Sequence, residues 1–250
     1  MRLRVLGCRG GWPGAGQPCS GYLLEAGGRR VLVDAGSGVL VELLRHSTLP
    51  ELDAIWITHL HPDHGGDLPA AWHTLAFGTR RERPLPVLGP PGWSATLDGM
   101  RSGAAEVGEV VEIVELADGA RHRFGELTLR AVVMRHSMPT FGLRADHAGA
   151  ILSYTSDSGP CAGMSELAAG ADLFLAEAFL SLPELRSELL STPEDAGRAA
   201  AAGGARRLVL THLHPDADPA RALARAATEF AGPIEVAEPG RVFEVSQGDP

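Results

Sequence analysis

Thr58-His59-Leu60-His61-Pro62-Asp63-His64-Gly65-Gly66-Asp67 follows directly on the apolar run Ala54-Ile55-Trp56-Ile57. The run reads as a buried strand, so three imidazoles and a carboxylate leave its end together on one loop. Imidazole and carboxylate in combination suit zinc, manganese or iron. One tight loop cannot aim all four side chains at a single ion and still admit a substrate. Dividing them, His59 and His61 on one ion and Asp63 and His64 on a second, removes that conflict. Two ions need about seven protein ligands and a shared water, so other segments must contribute.

Several other apolar runs end in suitable residues. Val31-Leu32-Val33 ends in Asp34 and the turn Ala35-Gly36-Ser37-Gly38. Val132-Val133-Met134-Arg135 presents His136, Ile151-Leu152-Ser153-Tyr154-Thr155-Ser156 presents Asp157, and Leu208-Val209-Leu210-Thr211 presents His212. The order Asp, H-x-H-x-D-H, His, Asp, His, each after a strand, resembles the five-motif series of the metallo-β-lactamase superfamily, and the resemblance runs from end to end. It implies an α/β fold, the αββα four-layer sandwich. It also implies that His59, His61 and His136 hold one metal, that Asp63, His64 and His212 hold the other, and that Asp157 bridges them. Asp34 then holds the histidine loop and is not a ligand. The implied chemistry is hydrolysis: two metals lower the pKa of a bridging water, Asp63 orients the resulting hydroxide, and Asp157 completes the catalytic pair. Zinc is the first expectation, with manganese or iron as alternatives.

Local patterns point to a branch. Leu6-Gly7-Cys8-Arg9-Gly10-Gly11-Trp12-Pro13, His136-Ser137-Met138-Pro139-Thr140-Phe141-Gly142 and Ser191-Thr192-Pro193-Glu194-Asp195-Ala196-Gly197 resemble segments of ribonuclease Z and its smaller phosphodiesterase cousins. Two departures matter. Ribonuclease Z carries a long tRNA-gripping arm between its third and fourth motifs, whereas His136 to Asp157 leaves room for only a hairpin. Its catalytic His before the Ser-Thr helix start is Leu190 here, which removes a proton donor for the leaving group. The first expectation is therefore hydrolysis of a small phosphodiester, of the cyclic nucleotide or cyclic phosphate type, with no tRNA as partner. The alternative is hydrolysis of a carboxylic ester, lactone, thioester or amide, and an iron-dependent redox protein is the third.

Further residues carry weaker expectations. Asp67 can orient a ligand imidazole or start a helix, and Glu177, in Leu175-Ala176-Glu177-Ala178-Phe179, can support the ligands or bond backbone. His214 lies in Thr211-His212-Leu213-His214-Pro215-Asp216, which repeats Thr58 to Asp63 letter for letter. That repeat is either an internal echo of a two-half fold or a coincidence. His214, Arg135 and Trp12 are expected at the substrate rim. Arg9, Arg135 or Arg144 can bind anionic oxygens, and Trp12, Trp72, Trp93 or Phe179 can line an apolar pocket. His46, His73, His122 and His147 have no such settings, and Cys8, Cys19 and Cys161 show no C-x-x-C spacing.

The 250-residue length and 44% hydrophobic content fit one domain over residues 1–250 with ample core. No run is long enough to span a membrane, and Arg2-Leu3-Arg4-Val5-Leu6 reads as a strand, not a signal peptide, which favours the cytoplasm. The sequence contains Arg but no Lys and is rich in Ala, Gly and Pro, a bacterial, GC-rich bias. A net charge of -9 disfavours a broad nucleic-acid surface. The expected partner is a small-molecule substrate, and a homodimer stays open. Strands are expected at Arg2–Leu6, Gly21–Glu25, Arg30–Asp34, Ala54–Thr58, within Pro84–Pro91, and at Val110–Val114, Leu127–Met134, Gly149–Tyr154, Leu173–Ala176, Arg207–Leu210, Ile234–Ala237 and Val242–Val245. Helices are expected at Val39–His46, Asp67–Ala76, Gly92–Met100, Thr192–Ala202 and Asp218–Phe230.

Overall fold

The computed structural model describes residues 1–78, 81–99 and 105–248. The first sheet contains β1 (Arg2–Gly7), β2 (Gly21–Ala26), β3 (Arg29–Val33), β4 (Ala54–Trp56), β5 (Leu85–Gly89) and β6 (Val111–Glu115). The second contains β7 (Arg121–Phe124), β8 (Leu127–Val133), β9 (Phe141–His147), β10 (Ala150–Tyr154), β11 (Leu173–Glu177), β12 (Leu208–Thr211) and β13 (Ile234–Val236), and β14 (Val242–Glu244) returns to the first. Their orders are β14-β1-β2-β3-β4-β5-β6 and β7-β8-β9-β10-β11-β12-β13.

Alternation along each strand dictates the layers. In β3 and β4, Val31, Val33, Ala54 and Trp56 face the second sheet, where they meet Leu129, Leu143, Leu152, Tyr154 and Leu175. Leu32 and Ile55 face the other way, into a core shared with α1 (Val39–Leu43), α3 (Leu68–Phe77), α4 (Ala95–Asp98) and α5 (Val107–Val110), α2 (Pro62–Gly65) being the short turn that carries Asp63 and His64. The outer face of the second sheet packs on α6 (Ala162–Ala168), α7 (Pro193–Gly203) and α8 (Pro219–Ala226). Three stacked cores between four layers make the αββα sandwich. Strands buried on both faces explain why Ala54–Trp56 and Leu208–Leu210 read as unbroken apolar runs.

Both sheets have the same plan. From β14 or from β7, three antiparallel pairings are followed by three parallel ones. β4 thus corresponds to β11, and β12 to β5. The repeated Thr-His-Leu-His-Pro-Asp segments follow β4 and β12, which are not counterparts, so the repeat is a coincidence and not an echo of duplication. The stretch between His136 and Asp157 is a hairpin, β9 and β10 joined at Ala148 (φ 50°) and Gly149 (φ 81°). Positive φ at both loop residues is the two-residue turn that matches strand twist.

Some elements differ from expectation. β7 and α6 were not anticipated; Arg-His-Arg-Phe is too polar to announce a strand, and Gly163 breaks the apparent helix former pattern of α6. That glycine lets the helix close on the sheet, since a Cβ there would lie 2.6 Å from the Val133 carbonyl oxygen. The helix expected at Val39–His46 stops at Leu43, and that at Asp218–Phe230 stops at Ala226. Of the helix expected at Gly92–Met100, Ala95–Asp98 is helical, Gly92 has φ 79°, and Met100 lies outside the described residues. No helix among the described residues is long and apolar enough to cross a membrane.

Candidate metal centre

The C-terminal ends of β3, β4, β8, β10 and β12 converge at one end of the sandwich. Four non-glycine residues among those described have positive φ, and three of them sit here: Asp34 (58°), Ser156 (58°) and His212 (55°). Each lies within two residues of a strand end, where the chain must turn sharply to aim a side chain. Such strained conformations persist where the surrounding fold over-determines them.

Two groups of side chains meet, and all potential ligand atoms within each group lie within 4.8 Å of one another. The first comprises His59, His61, His136 and Asp157; the second comprises Asp63, His64, Asp157 and His212. In the first, His61 Nδ1 stands 3.1 Å from both His59 Nε2 and His136 Nε2. Asp157 Oδ2 is 3.9 Å from each of those Nε2 atoms. In the second, His212 Nε2 is 3.2 Å from His64 Nε2 and 3.0 Å from Asp63 Oδ2, and Asp157 Oδ1 is 3.1 Å from His64 Nε2. Nitrogens bound tetrahedrally to one zinc ion would be roughly 3.3 Å apart.

The hydrogen bonds behind the imidazoles explain why a cation fits. His136 Nδ1 donates to the Leu189 carbonyl at 2.9 Å, and His64 Nδ1 donates to Asp34 Oδ2 at 2.7 Å. Thr58 Oγ1 donates to Asp34 and Ser156 Oγ donates to Thr58, so both hydroxyl oxygens can accept from His59 Nδ1, at 3.2 and 3.3 Å. In the neutral form that a metal ligand must take, each ring carries its proton on Nδ1 and turns a bare Nε2 lone pair inward. For His64, burial favours that form, while Asp157 and Asp34 prevail and raise its pKa well above the ordinary imidazole value until an ion displaces the proton. Burial holds the pKa of His59 well below the ordinary imidazole value, which keeps that ring neutral. Converging lone pairs repel one another unless a cation lies among them. Asp157 Oδ1 and His212 Nδ1 are likewise buried without a hydrogen bond, as expected of groups that answer to an ion.

Asp34 anchors the assembly. Its fully buried carboxylate accepts from Thr58 N at 2.8 Å, Thr58 Oγ1 at 2.9 Å, His64 Nδ1 and the Tyr154 hydroxyl at 3.2 Å. Gly36, two residues on, admits the start of α2: a Cβ there would stand 2.1 Å from the Asp63 carbonyl oxygen. Asp63 Oδ2 also accepts from Gly11 N at 2.8 Å, which ties the glycine-rich first loop to the second group.

Glu177 is fully buried and accepts from the backbone amides of Ser158 (3.2 Å), Phe179 (2.7 Å) and Ser191 (2.7 Å). It thereby joins the Asp157 loop, the end of β11 and the start of α7. Burial and then the nearby Asp157 carboxylate push its pKa well above the ordinary value, against the pull of those three amides. Asp67 precedes α3, but its carboxylate accepts from Leu40 N at 2.8 Å and so binds α1; it orients no imidazole. Arg135 is turned to Glu188 at 2.6 Å on the surface, and Arg144 donates to the Ala169 carbonyl at 2.8 Å, so neither points an open guanidinium at the centre. Trp72 and Trp93 are core residues, not pocket walls. His214 packs against Phe179 and against Trp12. Burial, then Glu238, pushes the Cys8 thiol up to about 12, which leaves no thiolate to compete as ligand or nucleophile. Thr58, Ser156, Tyr154 and the Leu189 carbonyl were not anticipated. The Tyr154-Thr155-Ser156-Asp157 run held two of them in plain view, but their partners lie up to 120 residues away in the chain.

The fold and the clustered histidines and carboxylates define a metal-dependent hydrolase. The chain belongs to the beta-lactamase superfamily, whose family described as "Beta-lactamase superfamily domain" matches residues 29–213. The uncharacterized protein ML1173 of Mycobacterium leprae is 35% identical over 262 residues, spanning 98% of this chain and 89% of its own length. A Ribonuclease Z of Mycolicibacterium paratuberculosis is 31% identical over 270 residues, with coverage of 95% and 96%. The crystal structure of the metallo-beta-lactamase fold protein YhfI from Bacillus subtilis aligns with a TM-score of 0.86 at 25% identity, covering 97% of this chain and 98% of that one.

Proposed function

We propose that the two groups hold two divalent metal ions, zinc first among them, and that the protein hydrolyses a small phosphodiester of the cyclic nucleotide or cyclic phosphate type. The observation that carries this reading is the placement of Asp157, with Oδ1 toward the second group and Oδ2 toward the first. One carboxylate shared in this way suits a pair of ions that act on a single substrate. When bound, such a pair supplies an activated water and polarises the scissile oxygen.

The chain's own residues do the rest. Asp63, fixed by Gly11 N, stands beside His212 with one oxygen committed and can orient the attacking water. Leu189 O and Asp34 set the tautomers of His136 and His64, as partners of ligating histidines do. The relative named Ribonuclease Z supports phosphodiester chemistry, while the short β9–β10 hairpin supports a small substrate in place of tRNA.

Leu190 favours the second reading, hydrolysis of a carboxylic ester or lactone, because it replaces the leaving-group acid of the phosphodiesterases that the chain resembles. Turnover of bis(p-nitrophenyl) phosphate, p-nitrophenyl acetate and a simple lactone by zinc-loaded protein decides between them. Chelator-sensitive cleavage of the phosphodiester is expected, and cleavage of the carboxylic substrates alone would overturn the reading. Leu190→His should then raise phosphodiester turnover by up to about a hundredfold, the lower end of the range for a positioned acid; an unchanged kcat would remove the leaving-group argument.

Ligand choice around β12 has its own test. His212→Ala should lose the second ion, read by metal analysis after gel filtration, and His214→Ala should keep both with only mildly reduced activity. Equal metal loss in the two variants would place His214 among the ligands.

A further inference from the structure

We propose that Trp12, His214 and Phe179 form a subsite that stacks the planar base of a nucleotide phosphodiester, with Trp12 setting the preference for substrates that carry such a ring. The inference rests on the phosphodiester reading above and narrows its substrate class. Four rings run outward from the metal centre in unbroken contact. The His212 and Phe179 centroids are 5.6 Å apart, Phe179 and His214 are 5.2 Å apart, and His214 and Trp12 are 5.5 Å apart. All three separations fall in the range of favourable aromatic pairs.

The wall is built to hold its shape. Phe179 N donates to Glu177, His214 N donates to Ser181 Oγ at 3.1 Å, and His214 Nδ1 accepts from Asp216 N at 3.2 Å. The Trp12 loop is pinned by Gly11 N on Asp63, by Gly10 N on the Leu213 carbonyl at 3.3 Å, and by Arg9 Nε on the Trp12 carbonyl at 3.1 Å. Gly10 lets this loop lie flush on its neighbours, since a Cβ there would meet Phe179 at 2.7 Å and the His212 carbonyl at 2.8 Å.

A single exposed Trp on a surface needs no explanation. Trp12 differs because it ends this wall, one residue from the amide that binds Asp63. It meets His214 edge-on, at 86°, which covers at most one face of the indole, and 47% of its surface is exposed. A flat, anchored and uncovered ring beside a centre for phosphodiester cleavage suits an aromatic base, and ordering it on binding costs little.

The chain offers a clean optical test, because Trp56, Trp72 and Trp93 are at most 3% exposed and Trp12 alone of the four meets solvent. Adenosine 3′,5′-cyclic monophosphate should quench the tryptophan emission of zinc-loaded protein saturably, and Trp12→Phe should abolish the effect. In turnover, Trp12→Ala should raise KM for that nucleotide about tenfold with kcat within about twofold, since stacking a base on an aromatic side chain has about that effect. The same cyclic phosphate without its base should be indifferent to the substitution. Absent quenching in the wild type, or equal losses on both substrates, would overturn the subsite. Saturable quenching without hydrolysis of either compound would support the subsite and remove the phosphodiesterase reading; hydrolysis that ignores Trp12 would do the reverse.

Discussion

Asp157→Ala is expected to abolish turnover, lowering kcat/KM by at least about a thousandfold, while the protein stays folded. Loss of metal-supplied charge stabilisation removes several kcal/mol from the transition state, and each 1.4 kcal/mol is a factor of about ten. The unusual part of the expectation concerns stability. Asp157 Oδ1 is buried 3.1 Å from His64 Nε2 and 3.4 Å from His212 Nδ1, and against the cost of burial these imidazoles hold the carboxylate pKa well below its ordinary value in metal-free protein. Chelator-treated Asp157→Ala should therefore lose this pairing and melt somewhat lower than chelator-treated wild type, and zinc should raise the wild type far more than the variant. Metal analysis, melting curves and turnover together check this. A variant that keeps both ions and its activity would sink the assignment of Asp157.

Substitutions at Asp34 should separate the support of the fold from the support of the metal. Asp34→Ala removes the acceptor for Thr58 N, Thr58 Oγ1, His64 Nδ1 and the Tyr154 hydroxyl, all deeply buried. It also places Ala at φ 58°. Breaking a buried charged network of this kind costs about 3–5 kcal/mol, a fall of roughly 10 °C or more in Tm for a chain of this size. Asp34→Asn is the more telling change. Asn tolerates positive φ and can still accept from Thr58 N. Its amide NH2, however, would face His64 Nδ1 and force that ring to carry its proton on Nε2, where the lone pair toward Asp63 and Asp157 is needed. Without metal, Asp34→Asn should melt above Asp34→Ala, because the Thr58 N bond is kept, yet it should lose about 10–100-fold in affinity at the second group. Unchanged zinc affinity in Asp34→Asn, by competition with a chromophoric chelator, would refute the tautomer argument.

Much of this centre was legible in the chain because each chemical residue follows an apolar strand, and strands buried on both faces are the plainest signal a sequence carries. The families of residues around Thr58, His136, Asp157 and His212 could be listed on that ground, and the resemblance grouped them. What could not be read were contacts between distant segments. Nothing in Leu189 announces that its carbonyl receives His136 Nδ1, and nothing in Asp67 says that it answers to Leu40 and not to an imidazole. Arg135 looked free to hold an anion until Glu188 was brought beside it by the turn before α7. β7 was missed for a related reason: Arg121 and Arg123 are exposed on one side of an edge strand, so only His122 and Phe124 carry a weak inward signal.

The two sheets share one plan, yet neither carries half of the chemistry by itself. His59 and His61 come from the first sheet, and His136 and Asp157 from the second; Asp63 and His64 come from the first, and Asp157 and His212 from the second. Each proposed ion is therefore a rivet through the seam, gripped by two side chains from either side. Its binding energy adds to the docking of the halves by mass action, and the halves must be docked before either ion can be held. Metal supply then governs more than catalysis: it governs how firmly the molecule is closed.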